Sequence, residues 1–79
     1  MKGVANHHRI SILLLLKQKP ELSLAEITDE LKLNFKTASE HVRRLAIAGL
    51  VMKRSEGPSV RHKITSLGNS ILVFLRTLE

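Results

Sequence analysis

This chain of 79 residues predicts a mostly α-helical fold with a small β-hairpin, and three observations predict it. Apolar residues recur at three- and four-residue spacing in four separate stretches, as amphipathic helices require. Between the third and the fourth the period switches to two, over Val60-Arg61-His62-Lys63-Ile64, which is strand-like. Capping and turn residues punctuate the stretches: Ser23, Asn34, Gly49, Gly57-Pro58 and Thr65.

The first helix is predicted over residues 4–18. Ile10, Leu13 and Leu14 fall at i, i+3 and i+4 and form the expected buried stripe, with Ile12 and Leu16 on flanking faces. From Ile10 to Leu16 more than half the circumference is apolar, which predicts burial on two sides. Pro20 stops this helix. The second, over residues 24–32, has a well-specified start. Ser23 is an N-cap and Glu26 stands at the third helical position, which makes a capping box, while Leu22 and Ile27 are placed as a hydrophobic staple. Leu24, Ile27 and Leu31 form its stripe, and Asp29 and Glu30 lie outside it.

Lys32-Leu33-Asn34 connects to the third helix, predicted from Phe35 to Ala48 with Asn34 as N-cap. Its inward face is Ala38, Val42 and Leu45, and Gly49 suits a left-handed end. Two short helices joined this tightly make a helix-turn-helix. Leu50 to Arg54 is the partner strand of Val60–Ile64. Ser55-Glu56-Gly57-Pro58-Ser59 is the turn between them, longer than two residues, so its tip is expected to be mobile. Thr65 caps a last helix over residues 66–78, with Leu67, Ile71, Leu75 and Leu78 in one stripe and Leu72, Val73 and Phe74 to either side. Three helices, a β-hairpin wing and a C-terminal helix make a winged helix-turn-helix. No repeat, low-complexity run or linker interrupts it, so residues 1–79 are expected to be one domain.

Composition narrows the function. A chain this short buries only about 60% of the surface its unfolded form exposes, so its core is marginal and a second copy would help. With no Trp, no Tyr and two Phe, that core is aliphatic. Cysteine is absent, which excludes disulfides, thiolate metal sites and cysteine nucleophiles. The opening MKGVANHHR has no leader-like apolar region, and the run at 12–16 is far too short to span a bilayer. A soluble, cytoplasmic protein with no membrane association is the expectation.

The net charge is +6, and its placement says more than its size. Residues 34–63 hold seven basic and two acidic side chains, and the other forty-nine hold six and five. Nearly all the excess lies in one segment, whereas a merely solubilising charge is spread along the chain. A concentrated basic segment favours a polyanionic partner.

The polar face of the third helix carries Lys36, Thr37, Ser39, Glu40, Arg43 and Arg44. In a helix-turn-helix protein this helix lies in the major groove, its N-terminal residues nearest the base edges. Lys36 or Arg43 can donate to guanine there, and Glu40 can accept from cytosine. The alternative is an ordinary solvated face, but the neighbouring hairpin adds Lys53, Arg54, Arg61 and Lys63, suited to phosphate or minor-groove contact. Charged edge strands also block aggregation, which accounts for any one of the four more easily than for all.

Other chemistries find less support. There are no paired carboxylates in an apolar setting and no Gly-rich phosphate loop, so an enzyme is not expected. His7 and His8 read as the surface start of a helix, and His41 and His62 as half-buried structural residues. RNA modules stack bases on aromatic platforms, which this chain lacks. The main rival is a winged helix used for protein–protein contact.

Several segments carry a family resemblance: Arg9-Ile10 with the aliphatic run at 12–16, Leu24-Ala25-Glu26-Ile27, Leu45 with Ala48-Gly49-Leu50-Val51, and Ile64-Thr65-Ser66-Leu67-Gly68. In this order they resemble the small winged-helix regulators of the ArsR type, with a MarR-like I/L-T-x-x-G after the wing, over about residues 7–72. The resemblance implies a dimeric transcriptional repressor acting on double-stranded DNA, with no cofactor. It puts base reading on Lys36, Ser39 and Glu40, with Thr37 and Arg43 adjacent. It also implies a homodimer through the first and last helices, with Leu15, Leu72, Phe74 and Leu78 pairing across a two-fold axis. Metal sensing in that family uses Cys pairs in the helix-turn-helix, or Asp and His in the last helix. Both are missing here, so no metal site is expected.

Overall fold

The computed structural model describes residues 3–77. In chain order its elements are α1 (Gly3–Gln18), β1 (Leu22–Ser23), α2 (Leu24–Leu31), α3 (Phe35–Ile47), β2 (Val51–Glu56), β3 (Ser59–Ile64) and α4 (Ser66–Thr77). The three strands form one antiparallel sheet in the order β1-β3-β2. The fold is therefore mostly helical with a small sheet, and the hairpin of β2 and β3 projects as a wing after α3.

The helix starts form as local chemistry dictates. Glu26 N donates to Ser23 Oγ at 3.2 Å, and Ser23 N donates back to Glu26 Oε1 at 2.8 Å, so the capping box is complete. This holds the Glu26 carboxyl below the usual carboxylate range, through its bonds with Ser23 first and the nearby Arg61 charge last. α2 ends one residue earlier than expected, at Leu31, because Lys32 turns left-handed at φ 54° and its N–H reaches back to the Thr28 carbonyl. α3 closes on Ala48, and Gly49 takes the left-handed conformation, φ 81°, that its place after the helix requires.

The core is a single aliphatic cluster. It joins Ile12, Leu13, Leu15 and Leu16 of α1 to Ile27, Val42, Leu45, Val51 and Leu72. α1 packs against α2, α3, α4 and β3, which accounts for its burial on more than one side. Its deepest residues are Ile12 and Leu16, both fully buried, whereas Ile10 and Leu14 are only partly covered. Of the expected stripe Leu13 is fully buried while Ile10 and Leu14 lie at its margin, so the buried face is shifted toward Ile12 and Leu16: five consecutive aliphatic residues carry no periodicity to orient the helix.

The last helix is rotated in the same way. Leu72 is buried, Ile71 and Leu75 are half-buried, and Leu67 is 51% exposed. The cause is Gly68. A Cβ at that position would stand 2.2 Å from the Leu50 carbonyl oxygen and 2.8 Å from Ile64 Cγ1, so α4 docks on its bare backbone here. Thr65 fastens the same corner. Gly68 N donates to Thr65 Oγ1 at 2.9 Å, Thr65 Oγ1 donates to the Gly49 carbonyl at 2.7 Å, and Thr65 N donates to Leu50 O at 3.0 Å. Leu15 and Leu72 both belong to the core, so neither is available to pair across a two-fold axis as the resemblance implied. Leu78 lies outside the described residues.

Two features of the sheet depart from expectation. Pairing runs to Glu56↔Ser59, which leaves only Gly57-Pro58 as the turn. A glycine with positive φ at the first central position matches the two-residue turns that fit strand twist, so the tip is tight rather than long. β1 was not expected at all. It pairs Leu22 with His62 and Ser23 with Arg61, and so joins the entrance of α2 to the wing.

Candidate nucleic-acid interface

α3 is positioned at both ends and along one side. Asn34 Oδ1 accepts from Lys36 N at 2.7 Å and Thr37 N at 3.3 Å, which fixes the first turn. Ala38, Val42 and Leu45 are buried and set the roll of the helix. Lys36, Glu40, Arg43 and Ile47 then follow one another at helical spacing on the side turned away from the core. Thr37 with Arg44 lies on one flank, and Ser39 with Phe35 on the other. Lys36, Arg43 and Arg44 are exposed, while Thr37, Ser39 and Glu40 are partly covered.

Three of the charges on and beside this face are paired. Arg44 Nε and Arg43 Nη2 both donate to Glu40 Oε2, at 2.9 and 3.1 Å. The bond from Arg44, then that from Arg43, holds the Glu40 carboxyl below the usual carboxylate range. Glu40 therefore organises two arginines in addition to facing outward.

The wing divides its four basic residues. Arg54 and Arg61 stand opposite each other in the register, Lys63 opposes Met52, and Lys53 opposes the buried His62. Alternation puts Arg54, Arg61 and Lys63 on one face of the ribbon and Lys53 on the other. The two arginines are held by acids: Arg54 Nη2 lies 3.0 Å from both Glu21 and Glu56 carboxylate oxygens. Arg61 lies 3.3 Å from Glu56 and 3.5 Å from Glu26, and its Nη1 donates to the Glu21 carbonyl at 2.9 Å. Among the described residues Lys36, Lys53 and Lys63 form no ion pair, so their charges stay uncompensated.

His62 is 4% exposed, and its Nδ1 lies 3.0 Å from the Leu22 carbonyl. A carbonyl only accepts, so Nδ1 is the donor in this contact and carries a proton. Burial pushes its pKa down, with the Lys53 charge adding to the effect and the Leu22 bond opposing it. His41 packs its ring against His8 at 5.3 Å, and burial first, then the neighbouring His8, Arg9 and Arg44, lowers its pKa. Among the described residues no three His, Asp or Glu side chains converge as a metal ion needs, and no helix is long and apolar enough to cross a membrane.

Two residues near this surface escaped the sequence reading. Phe35, the first residue of α3, is 61% exposed. Arg9 on α1 lies far from the basic segment in sequence, yet joins Arg43 and Arg44 around an open depression of about 480 Å³ with an apolar wall of Leu45, Ile47, Ala48 and Leu50. Helical spacing puts Phe35 on a flank of α3, but only tertiary packing shows that it is left mostly exposed.

A tight helix pair, with the second helix presenting cations and a hairpin beside it, defines the class of winged helix-turn-helix domains. A family described as a helix-turn-helix domain matches residues 4–54, well over half of the chain. The chain belongs to that family, which makes it a binding domain rather than an enzyme. No curated protein matches the sequence significantly.

Solved structures share the fold. The chain is similar to wild-type MarR from E. coli in its apo form, with a TM-score of 0.82 at 18% identity over 89% of this chain and 54% of that one. A MarR family protein from Bacillus stearothermophilus gives a TM-score of 0.79 at 22% identity, covering 87% and 49%. The PcaV transcriptional regulator from Streptomyces coelicolor, in complex with its natural ligand, gives 0.76 at 22%, covering 81% and 48%. The chain thus spans about half the length of each of them.

Proposed function

We propose that the protein is a transcriptional regulator that binds double-stranded DNA sequence-specifically, with α3 in the major groove and the wing against the sugar–phosphate backbone. The observation that carries this reading is the arrangement around α3. Its core face is buried and its first turn is fixed, so Lys36, Glu40 and Arg43 are displayed at one angle, with the uncompensated Lys53 and Lys63 of the wing beyond. Lys36, Ser39 and Glu40 read bases, with Thr37, Arg43 and Arg44 adjacent. Lys53, Lys63, Arg54 and Arg61 contact phosphates.

The ordered motifs favour a small regulator of the ArsR type, and the similarity in fold to MarR structures is compatible with that. A cytoplasmic homodimer acting as a repressor follows from the same reading. Val73 and Phe74 on α4 are 57% and 60% exposed and offer the apolar surface for it, in place of Leu15 and Leu72. A two-fold dimer sets two copies of α3 about one turn of DNA apart, on a palindromic site.

Titration onto a mixed-sequence duplex at several salt concentrations, followed by fluorescence anisotropy, tests the reading. Affinity that falls log-linearly with salt supports it. Absence of binding at low salt overturns it and turns attention to a protein partner.

A further inference from the structure

Phe35 has no place in the core. It belongs neither to the buried cluster nor to the partly buried apolar side chains packed against it. It is one of two Phe in a chain with no Trp or Tyr, and it stands at the leading end of α3. Asn34 fixes the backbone of that turn through Lys36 N and Thr37 N, so the ring is carried on a rigid base beside the exposed Lys36. An aromatic ring in water does nothing for folding. It has low conformational entropy to lose when something apolar covers it.

In the major groove one apolar group distinguishes a base, the C5-methyl of thymine, and phenylalanine is among the side chains that contact it. The N-terminal residues of a recognition helix are those nearest the base edges. We infer that Phe35 reads thymine, its ring packing on the 5-methyl group while Lys36 contacts the neighbouring base pair or phosphate. This inference rests on the DNA-binding reading above and adds a base preference to it. Intercalation is a minor-groove device of wedge residues, whereas Phe35 stands on the element assigned to the major groove.

The test is a thymine-to-uracil scan. Duplexes preferred by the wild-type protein are first selected from a randomised pool. Each thymine is then replaced by uracil, which keeps the hydrogen-bonding edges and lacks only the methyl. One thymine per half-site is expected to weaken binding about fourfold when replaced, the fold-change for ~0.8 kcal/mol of buried methyl-sized surface at about 1.4 kcal/mol per tenfold. Phe35→Ala is expected to fold with wild-type Tm, since the ring is outside the core, and to lose the discrimination between thymine and uracil at that position.

Wild-type binding that is indifferent to every replacement overturns the inference. So does a Phe35→Ala protein that still distinguishes the two bases. In both cases the selected site still binds, so the DNA-binding reading stands while the role of Phe35 falls. A pool that yields no preferred duplex removes the DNA reading itself and the inference with it.

Discussion

Arg44 Nε donates to Glu40 Oε2 at 2.9 Å across one turn of α3, and Arg43 donates to the same oxygen. One carboxylate thus holds two of the cations that face the proposed groove. Glu40→Gln keeps the size and gives up the charge. We expect this variant to bind mixed-sequence DNA more tightly, with a salt slope steeper by up to about 0.9 per additional phosphate contacted, and with less discrimination between sites. Anisotropy titrations on selected and scrambled duplexes check it; weaker binding would show that Glu40 aims the arginines rather than restraining them. The Glu40 pKa is the lower one in the folded state, so the clamp is present above about pH 4.5 and is lost only as pH falls below that.

Among the described residues Lys63 and Lys53 have no acidic neighbour in pairing distance, whereas Arg54 and Arg61 each have two. Lys53→Ala and Lys63→Ala are each expected to lower the salt slope by about 1 and to weaken all sites alike. Arg54→Ala is expected to change the slope less. Arg61→Ala removes the half-buried tie to the Glu21 carbonyl and is expected to lower stability by about 1 kcal/mol, read in urea denaturation. Equal slopes for all four variants would remove the distinction between them.

Gly68→Ala places a methyl group 2.2 Å from the Leu50 carbonyl oxygen, which is backbone and has nowhere to go. Overpacking of this kind costs about 3 kcal/mol or more. Thermal denaturation of the variant is expected to show a fall in Tm of more than 10 °C, on the order of 4–8 °C per kcal/mol in a domain of this size. A change of a degree or two would mean that α4 can pivot away from Leu50 and Ile64 at little cost.

His62 links stability to pH. Its folded pKa is depressed below 6.5, so the unfolded chain binds more protons, and stability rises with pH through this range. The full contribution is present above about pH 6.5 and is lost as pH falls below it, at up to about 1.4 kcal/mol per pH unit for one group. His62→Gln retains a donor for the Leu22 carbonyl and cannot titrate. It is expected to flatten the stability curve between neutral pH and pH 5, leaving the slope of His41 and, toward pH 5, of Glu26 and Glu40. Urea denaturation of both proteins over that range measures it.

What depends on neighbours in sequence was legible: the capping box of Ser23 and Glu26, the Asn34 cap, the left-handed Gly49 and the buried triplet of Ala38, Val42 and Leu45. What depends on distant partners was not. The faces of α1 and α4 are set by packing on several sides and by the bare backbone at Gly68, which no apolar spacing records. β1 exists only through its pairing with β3, forty residues away at Leu22 and His62. The partners of Arg54 and Arg61 include Glu21 and Glu26, which lie outside the basic segment. A charge count along the chain therefore overstated how free those two arginines are.

The contact at Gly68 makes α4 a lever. Its near end bears on the Leu50 carbonyl as a fulcrum, directly where the chain leaves α3, while Val73 and Phe74 sit further out with their side chains uncovered. Over the ~13 Å from Gly68 to Thr77, a tilt of about 10° at the fulcrum displaces the far end by about 2 Å. Read backward, a push of that size on the outer part of α4 becomes a small change in pitch at the exit of α3.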